Sequence, residues 1–195
     1  LTGVYGYVLK GTGKVKPFDI GRDPKMLNHS WNVIQIDKKW FLVDAMLGAG
    51  TVDYTEKTYQ HSFNDKYFLT PPEDFFLNHF PKDQGWSFVE KTAEDFANLP
   101  LFYGEYLKAD FELIEPLNGV LDLKGMDSIS FRIKSPLPIE KMSYHYSYEE
   151  DPIEINIKRK GNEYTFDIPF TLKRRGFLNL IYNKMPVISF KIGTY

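Results

Sequence analysis

His29 and Asp44 are residues of the types that form two members of a nucleophilic triad. An imidazole draws a proton from a thiol or hydroxyl, and a carboxylate beside it fixes the tautomer and stabilises the imidazolium. Ser30 to Ile36 (SWNVIQI) and Trp40 to Val43 (WFLV) are β-rich runs separated by Asp37-Lys38-Lys39, which reads as a tight hairpin turn. His29 stands at the start of the first run and Asp44 at the end of the second, so an antiparallel hairpin brings them together. Parity decides whether they share a face. A loop of two or four residues puts both on one side of the sheet; three residues would separate them, and a bulge shifts the count by one. On spacing alone, the plainer reading of a strand-end histidine and a strand-end cap outweighs the catalytic one.

Around that hairpin the sequence predicts further short elements. Gly3 to Leu9 reads as a strand, followed by a polar loop carrying Gly11, Gly13, Pro17, Gly21 and Pro24. Gly48-Ala49-Gly50 ends the second hairpin run. Pro71-Pro72-Glu73-Asp74 before Phe75 fits a helix start. Beyond the joint near Asn98-Leu99-Pro100, the chain reads as repeated short strands: Phe111–Ile114, Gly119–Leu123, Ser128–Ile133, Met142–Tyr148, Phe177–Tyr182 and Val187–Ile192. Ile153, Ile155 and Ile157 alternate with polar residues. They read as a hairpin with Tyr164, Phe166 and Ile168 across the turn Lys160-Gly161-Asn162. Seven or eight short strands suggest an immunoglobulin-like sandwich. The expected organisation is therefore α+β, with residues 1–100 and 101–195 as two domains.

The bulk numbers narrow the partners. The 195 residues carry a formal net charge of −2 with acids and bases interspersed, so nucleic acid is not expected. No apolar run reaches the roughly 20 residues that span a bilayer, so no membrane partner is expected. The 16 Phe, 13 Tyr and 3 Trp supply ample core. Cys is absent, which excludes a Cys nucleophile or Cys metal ligand within this chain. His61 reads as an exposed loop residue, His79 as structural packing before Pro81, and His145 as a solvated strand position. A zinc site needs about three converging ligands. His29 and Asp44 with one of these would be required, and nothing in the spacing groups them, so no metal or cofactor is expected. Lys173-Arg174-Arg175 reads as a solvated turn. Trp31 and Trp40 read first as core aromatics.

The ordered blocks resemble a known family. Asn28-His29-Ser30-Trp31-Asn32 followed by Trp40-Phe41-Leu42-Val43-Asp44-Ala45 is similar to the His and Asp blocks of transglutaminase-like (papain-related) domains. Val4-Tyr5-Gly6-Tyr7 resembles the strand before them. Tyr67-Phe68-Leu69-Thr70-Pro71, then His79-Phe80-Pro81 and Trp86, resembles the kyphoscoliosis-peptidase branch, and Phe96 to Tyr103 looks like that branch's joint to a β-sandwich. The resemblance covers residues 1 to about 110. It implies the antiparallel sheet part of a cysteine-protease-like fold, with His29 as catalytic histidine and Asp44 as orienting acid. Trp31 and Asn32 would line a substrate pocket. The family's nucleophilic Cys precedes the strand matched by Val4–Leu9, so the chain is expected to be the His/Asp-bearing portion of a longer protein and inactive alone. Leu47 stands where a Trp commonly follows the catalytic Asp. The complete protein would act on protein or peptide substrates by acyl transfer or amide hydrolysis, with a helical lobe supplied elsewhere or by a second chain. The alternative is a non-catalytic interaction module. Apolar surface left on the sheet bearing His29 and Trp31 would also invite a homodimer.

Overall fold

The computed structural model describes residues 4–53, 58–170 and 174–193. Sheets that are antiparallel in all but one strand pairing, with a few short helices, make up the described residues, the α+β architecture expected. It divides into two compact units, Leu1–Gly13 with Pro24–Phe96, and Lys14–Asp23 with Ala97–Tyr195.

The first unit contains β1 (Tyr5–Gly13), β2 (His29–Ile36), β3 (Lys39–Val43), α1 (Ala45–Ala49), β4 (Gly50–Asp53), β5 (Thr58–His61), β6 (Phe68–Thr70), α2 (Pro72–Phe76) and β7 (His79–Pro81). Five strands form one sheet in the order β6-β3-β2-β1-β7, and β4 pairs with β5 in a separate two-stranded sheet. The β2–β3 turn has two residues, Asp37 and Lys38, with φ of 49° and 63°. Two successive positive φ values give a turn whose twist matches the flanking strands. Lys39 therefore pairs with Ile36, and Val43 with Asn32. The even loop gives the parity that puts Asp44 on the face of His29 and Trp31.

The first strand is longer than the sequence suggested: it continues through Gly11 and Gly13, which read as loop, while Gly3 lies outside the described residues. These glycines serve close approach. A Cβ on Gly11 would lie 2.2 Å from the Phe80 carbonyl oxygen and 2.4 Å from the Trp31 ring. The Pro72 helix start is observed as α2, with Phe75 and Phe76 buried. Leu9, Trp31, Val33, Leu42 and Phe75 form a buried cluster on one face of the sheet. The opposite face carries Val4, Val8 and Phe68, exposed at 60%, 68% and 59%. Tyr5 and Tyr7, on the face of Trp31 and His29, are exposed at 68% and 54%, so exposed apolar side chains occur on both faces.

In the second unit follow α3 (Ala93–Asn98, shared across the boundary), β8 (Leu101–Phe102), α4 (Gly104–Lys108), β9 (Glu112–Glu115), β10 (Val120–Leu121), β11 (Ser128–Lys134), β12 (Met142–Tyr146), β13 (Ile153–Glu154), β14 (Lys158–Lys160), β15 (Glu163–Pro169), β16 (Gly176–Tyr182) and β17 (Met185–Ile192). One sheet runs β10-β17-β16-β12-β13 with β8 also on β17; the other runs β14-β15-β11-β9. Phe131 and Phe166 of one sheet stack at 5.3 Å, and Phe131 meets Phe190 of the other at 5.3 Å, so both contribute to one core. The Ile153–Ile157 run is not one strand of a hairpin. Ile153 pairs with Tyr144 of β12, whereas Lys158 pairs with Thr165 of β15, so the chain changes sheets between them. Ile155 is buried at that crossing, with its amide on the Met142 carbonyl. Within the expected basic turn, Lys173 lies outside the described residues.

Candidate active site

Asp44 follows β3 directly and caps α1. Its Oδ1 accepts from the backbone N–H groups of Met46 (2.9 Å) and Leu47 (3.0 Å), which are orphan donors of the first helical turn. That fixes the carboxylate and turns Oδ2 toward two imidazoles. His29 Nε2 lies 2.5 Å from Oδ2, and His79 Nε2 lies 2.8 Å from it. The carboxylate is 1% exposed and the His29 side chain 8%.

Three strands set this convergence. His29 on β2 pairs with Gly11 of β1, and His79 on β7 pairs with Gly13 of β1. The middle strand thus presents no side chain between the two rings, whose centroids stand 5.4 Å apart. Asn28 reinforces the arrangement: its Oδ1 accepts from Gly13 N at 2.7 Å and its Nδ2 donates to Gly13 O at 3.1 Å. This side chain extends the β1–β2 ladder beyond His29. Trp31, 2% exposed, packs under both imidazoles with centroid distances of 6.0 Å to His29 and 5.0 Å to His79. Its indole N–H is buried without a hydrogen-bond acceptor among the described residues.

Of the residues singled out from sequence, the structure brings His29 and Asp44 together and lays Trp31 beneath them. Asn32 is one position off in the strand alternation, pairs with Val8 and Val43, and lies on the opposite face. His61 is exposed on β5, and His145 is half-buried with Nε2 on the Glu149 carbonyl oxygen at 2.7 Å. His79 does pack structurally, stacked on Phe75 at 3.7 Å, but it also joins the carboxylate, which the sequence reading missed.

The electrostatics follow from this shell. Burial would raise the Asp44 carboxyl, but hydrogen bonds from His29 and His79, with their charges, outweigh it and hold the group below the usual carboxylate range. Burial lowers the His79 pKa more strongly than its bond to Asp44 raises it. His79 presents both nitrogens to acceptors, Nδ1 to the Phe75 carbonyl oxygen at 3.0 Å and Nε2 to Asp44. Only an imidazolium donates to both, and burial opposes that charge.

His29, Asp44 and His79 offer three donor atoms within 4.8 Å of one another, a grouping that a metal could use in principle. Donors around one zinc at about 2.0–2.1 Å stand roughly 3.3 Å apart in a tetrahedron. The 2.5 and 2.8 Å separations here are those of hydrogen bonds.

Acid sensitivity is a direct consequence. Both shifted groups bind protons more weakly folded than unfolded, so stability rises with pH. The His79 contribution is complete above its unfolded value of about 6.5 and is lost as pH falls below it; the Asp44 contribution is lost below about 3.9. Urea midpoints should therefore fall between pH 7 and pH 5, and fall less in His79→Gln. A midpoint that is flat or rises toward pH 5 would contradict this account.

No family model matches the chain. Among curated proteins its similarity supports a transglutaminase-like branch, with relatives named as a peptidase and as a transglutaminase-domain protein. The chain is 27% identical over 112 residues to the Kyphoscoliosis peptidase of Mus musculus, covering 56% of this chain and 17% of that protein. It is 31% identical over 91 residues to the Homo sapiens Kyphoscoliosis peptidase, covering 46% and 14%. It is 25% identical over 161 residues to the Lim and transglutaminase domain protein ltd-1 of Caenorhabditis elegans, covering 74% and 22%. The chain thus spans less than a quarter of the length of these relatives.

Proposed function

We propose that this chain carries the histidine–aspartate half of a Cys–His–Asp site for acyl transfer or amide hydrolysis on protein or peptide substrates, with residues 1–100 as the transglutaminase-like portion and 101–195 as an immunoglobulin-like sandwich. The observation that carries the reading is the 2.5 Å contact between His29 Nε2 and Asp44 Oδ2. With Nε2–H held by the carboxylate, Nδ1 is the nitrogen left with a lone pair, and it makes no hydrogen bond among the described residues. A thiol presented there loses its proton to Nδ1. The thiolate attacks the substrate carbonyl, the amine leaves with the proton from His29, and a thioester remains. Water or a second amine then attacks, giving its proton to the same nitrogen; the C–S bond breaks, and the expelled thiolate takes that proton back. The chain contains no Cys, so the thiol comes from a helical lobe elsewhere in the protein or from a second chain. Alone, the chain is inactive.

A thiol-directed activity probe on the full gene product tests this. Labelling that disappears in His29→Ala is the expected result; absent labelling, or labelling indifferent to His29, would overturn it. The second reading, a non-catalytic interaction module that docks another protein or a second copy, is favoured by one observation: the exposed Val4, Val8 and Phe68 on the sheet face away from His29.

A further inference from the structure

We propose that His79 sets the basicity of His29 through the carboxylate oxygen that the two imidazoles share; the inference rests on the reading of His29 as the proton acceptor. An ionised carboxylate offers about four acceptor positions. In Asp44 two helix N–H groups take Oδ1, and His29 and His79, each with its proton on Nε2, both take Oδ2. Each donor spreads the negative charge. The imidazolium formed on His29 during proton transfer is stabilised by whatever charge remains on Oδ2, and His79 draws on that same charge. A carboxylate serving one imidazole alone would stabilise the imidazolium of His29 more strongly.

The ring is fixed for this task. Phe75 stacks on it at an interplanar angle of 17°, Trp31 meets it edge-on at 72°, and Tyr67 at 71°. The charges that act on it are those of Asp44, from the start of α1, and His29, from β2. Among the described residues, the titratable rings that meet it are those of His29 and Tyr67. At 2% exposure His79 has no surface from which to touch a substrate, so it is a positioning residue acting through Asp44.

Two isosteric variants separate this role from packing. The amide of Gln reaches the place of Nε2 and keeps a donor on Asp44; the amide of Asn reaches the place of Nδ1 and keeps a donor on the Phe75 carbonyl. The titration of His29 in the 195-residue chain is followed by nitrogen-detected NMR. In His79→Asn the midpoint should rise by about one pH unit, and in His79→Gln it should stay within about 0.3 unit of the unsubstituted chain. A His79→Asn midpoint that does not move, or a His79→Gln shift as large as that of His79→Asn, would overturn the proposal. Asp44→Asn in the same titration probes the underlying pair separately. A lowered His29 midpoint supports the pair, and an unchanged one overturns it whatever His79 does.

Discussion

Asp44→Ala should lower the stability of the chain by about 3–5 kcal/mol, the cost of breaking a buried, hydrogen-bonded charge arrangement. The carboxylate is 1% exposed and serves four donors, so its removal leaves all four without that acceptor. Loss of the helix cap alone costs about 1 kcal/mol, and each buried donor left unpaired roughly 1–3 kcal/mol, though water entering the vacated space recovers part of it. Set against a typical total of about 5–15 kcal/mol, this is a large fraction. Urea unfolding followed by Trp fluorescence measures it, since Trp31 lies against both imidazoles. A loss below about 1 kcal/mol would mean that the carboxylate is not the hub described.

Asp44→Asn separates stability from chemistry. The amide oxygen can keep the helix cap while the NH₂ group faces the histidines. Those rings must then accept rather than donate, which moves the remaining proton of His29 to Nδ1 and abolishes it as a base there. The stability loss should be well under that of Asp44→Ala, whereas any thiol activation through His29 should vanish.

What was readable in the sequence follows from how local each contact is. The approach of His29 to Asp44 depends on a single hairpin. Its turn residues are identifiable, but the loop length, and with it the parity, stayed open until the two-residue turn Asp37-Lys38 was seen. The turn itself is one residue shorter than the Asp37-Lys38-Lys39 segment, because Asp37 and Lys38 both take positive φ and let Lys39 pair with Ile36. His79 was a different problem. It reaches Asp44 from 35 positions away, through the pairing of β7 with β1, and no local pattern reports which strand will lie beside β1. The available signal was a histidine in a short apolar triplet, His79-Phe80-Pro81, which also describes ordinary packing. The sheet change near Ile155 was hidden for a related reason: alternation predicts faces but not partners, and Ile153 and Lys158 pair in different sheets.

The glycines of β1 were misread in a more instructive way, and they yield the second large expectation. Gly11-Thr12-Gly13 looks like loop because glycine is poor in strands, yet glycine inside a strand also marks a place where something must come close. Neither Gly11 nor Gly13 has a positive φ, so alanine fits the backbone conformation at both. By conformational entropy alone, Gly→Ala at such a site would stabilise by about 0.4–1 kcal/mol. Gly11→Ala should instead destabilise by about 2–4 kcal/mol, because its methyl would sit 2.2 Å from the Phe80 carbonyl oxygen and 2.4 Å from Trp31. The first obstacle is backbone of the adjacent β7 strand, and the second is an indole fixed in the core, so neither yields cheaply. Gly13→Ala meets softer neighbours, the Cβ and ring of His29 at 2.9 and 3.1 Å. It should cost less stability but push the imidazole off Asp44, so its signature is a displaced His29 resonance in a folded protein. Gly11→Ala as stable as the parent chain would mean that β7 does not lie against β1 as described, and the route by which His79 reaches the carboxylate would fall with it.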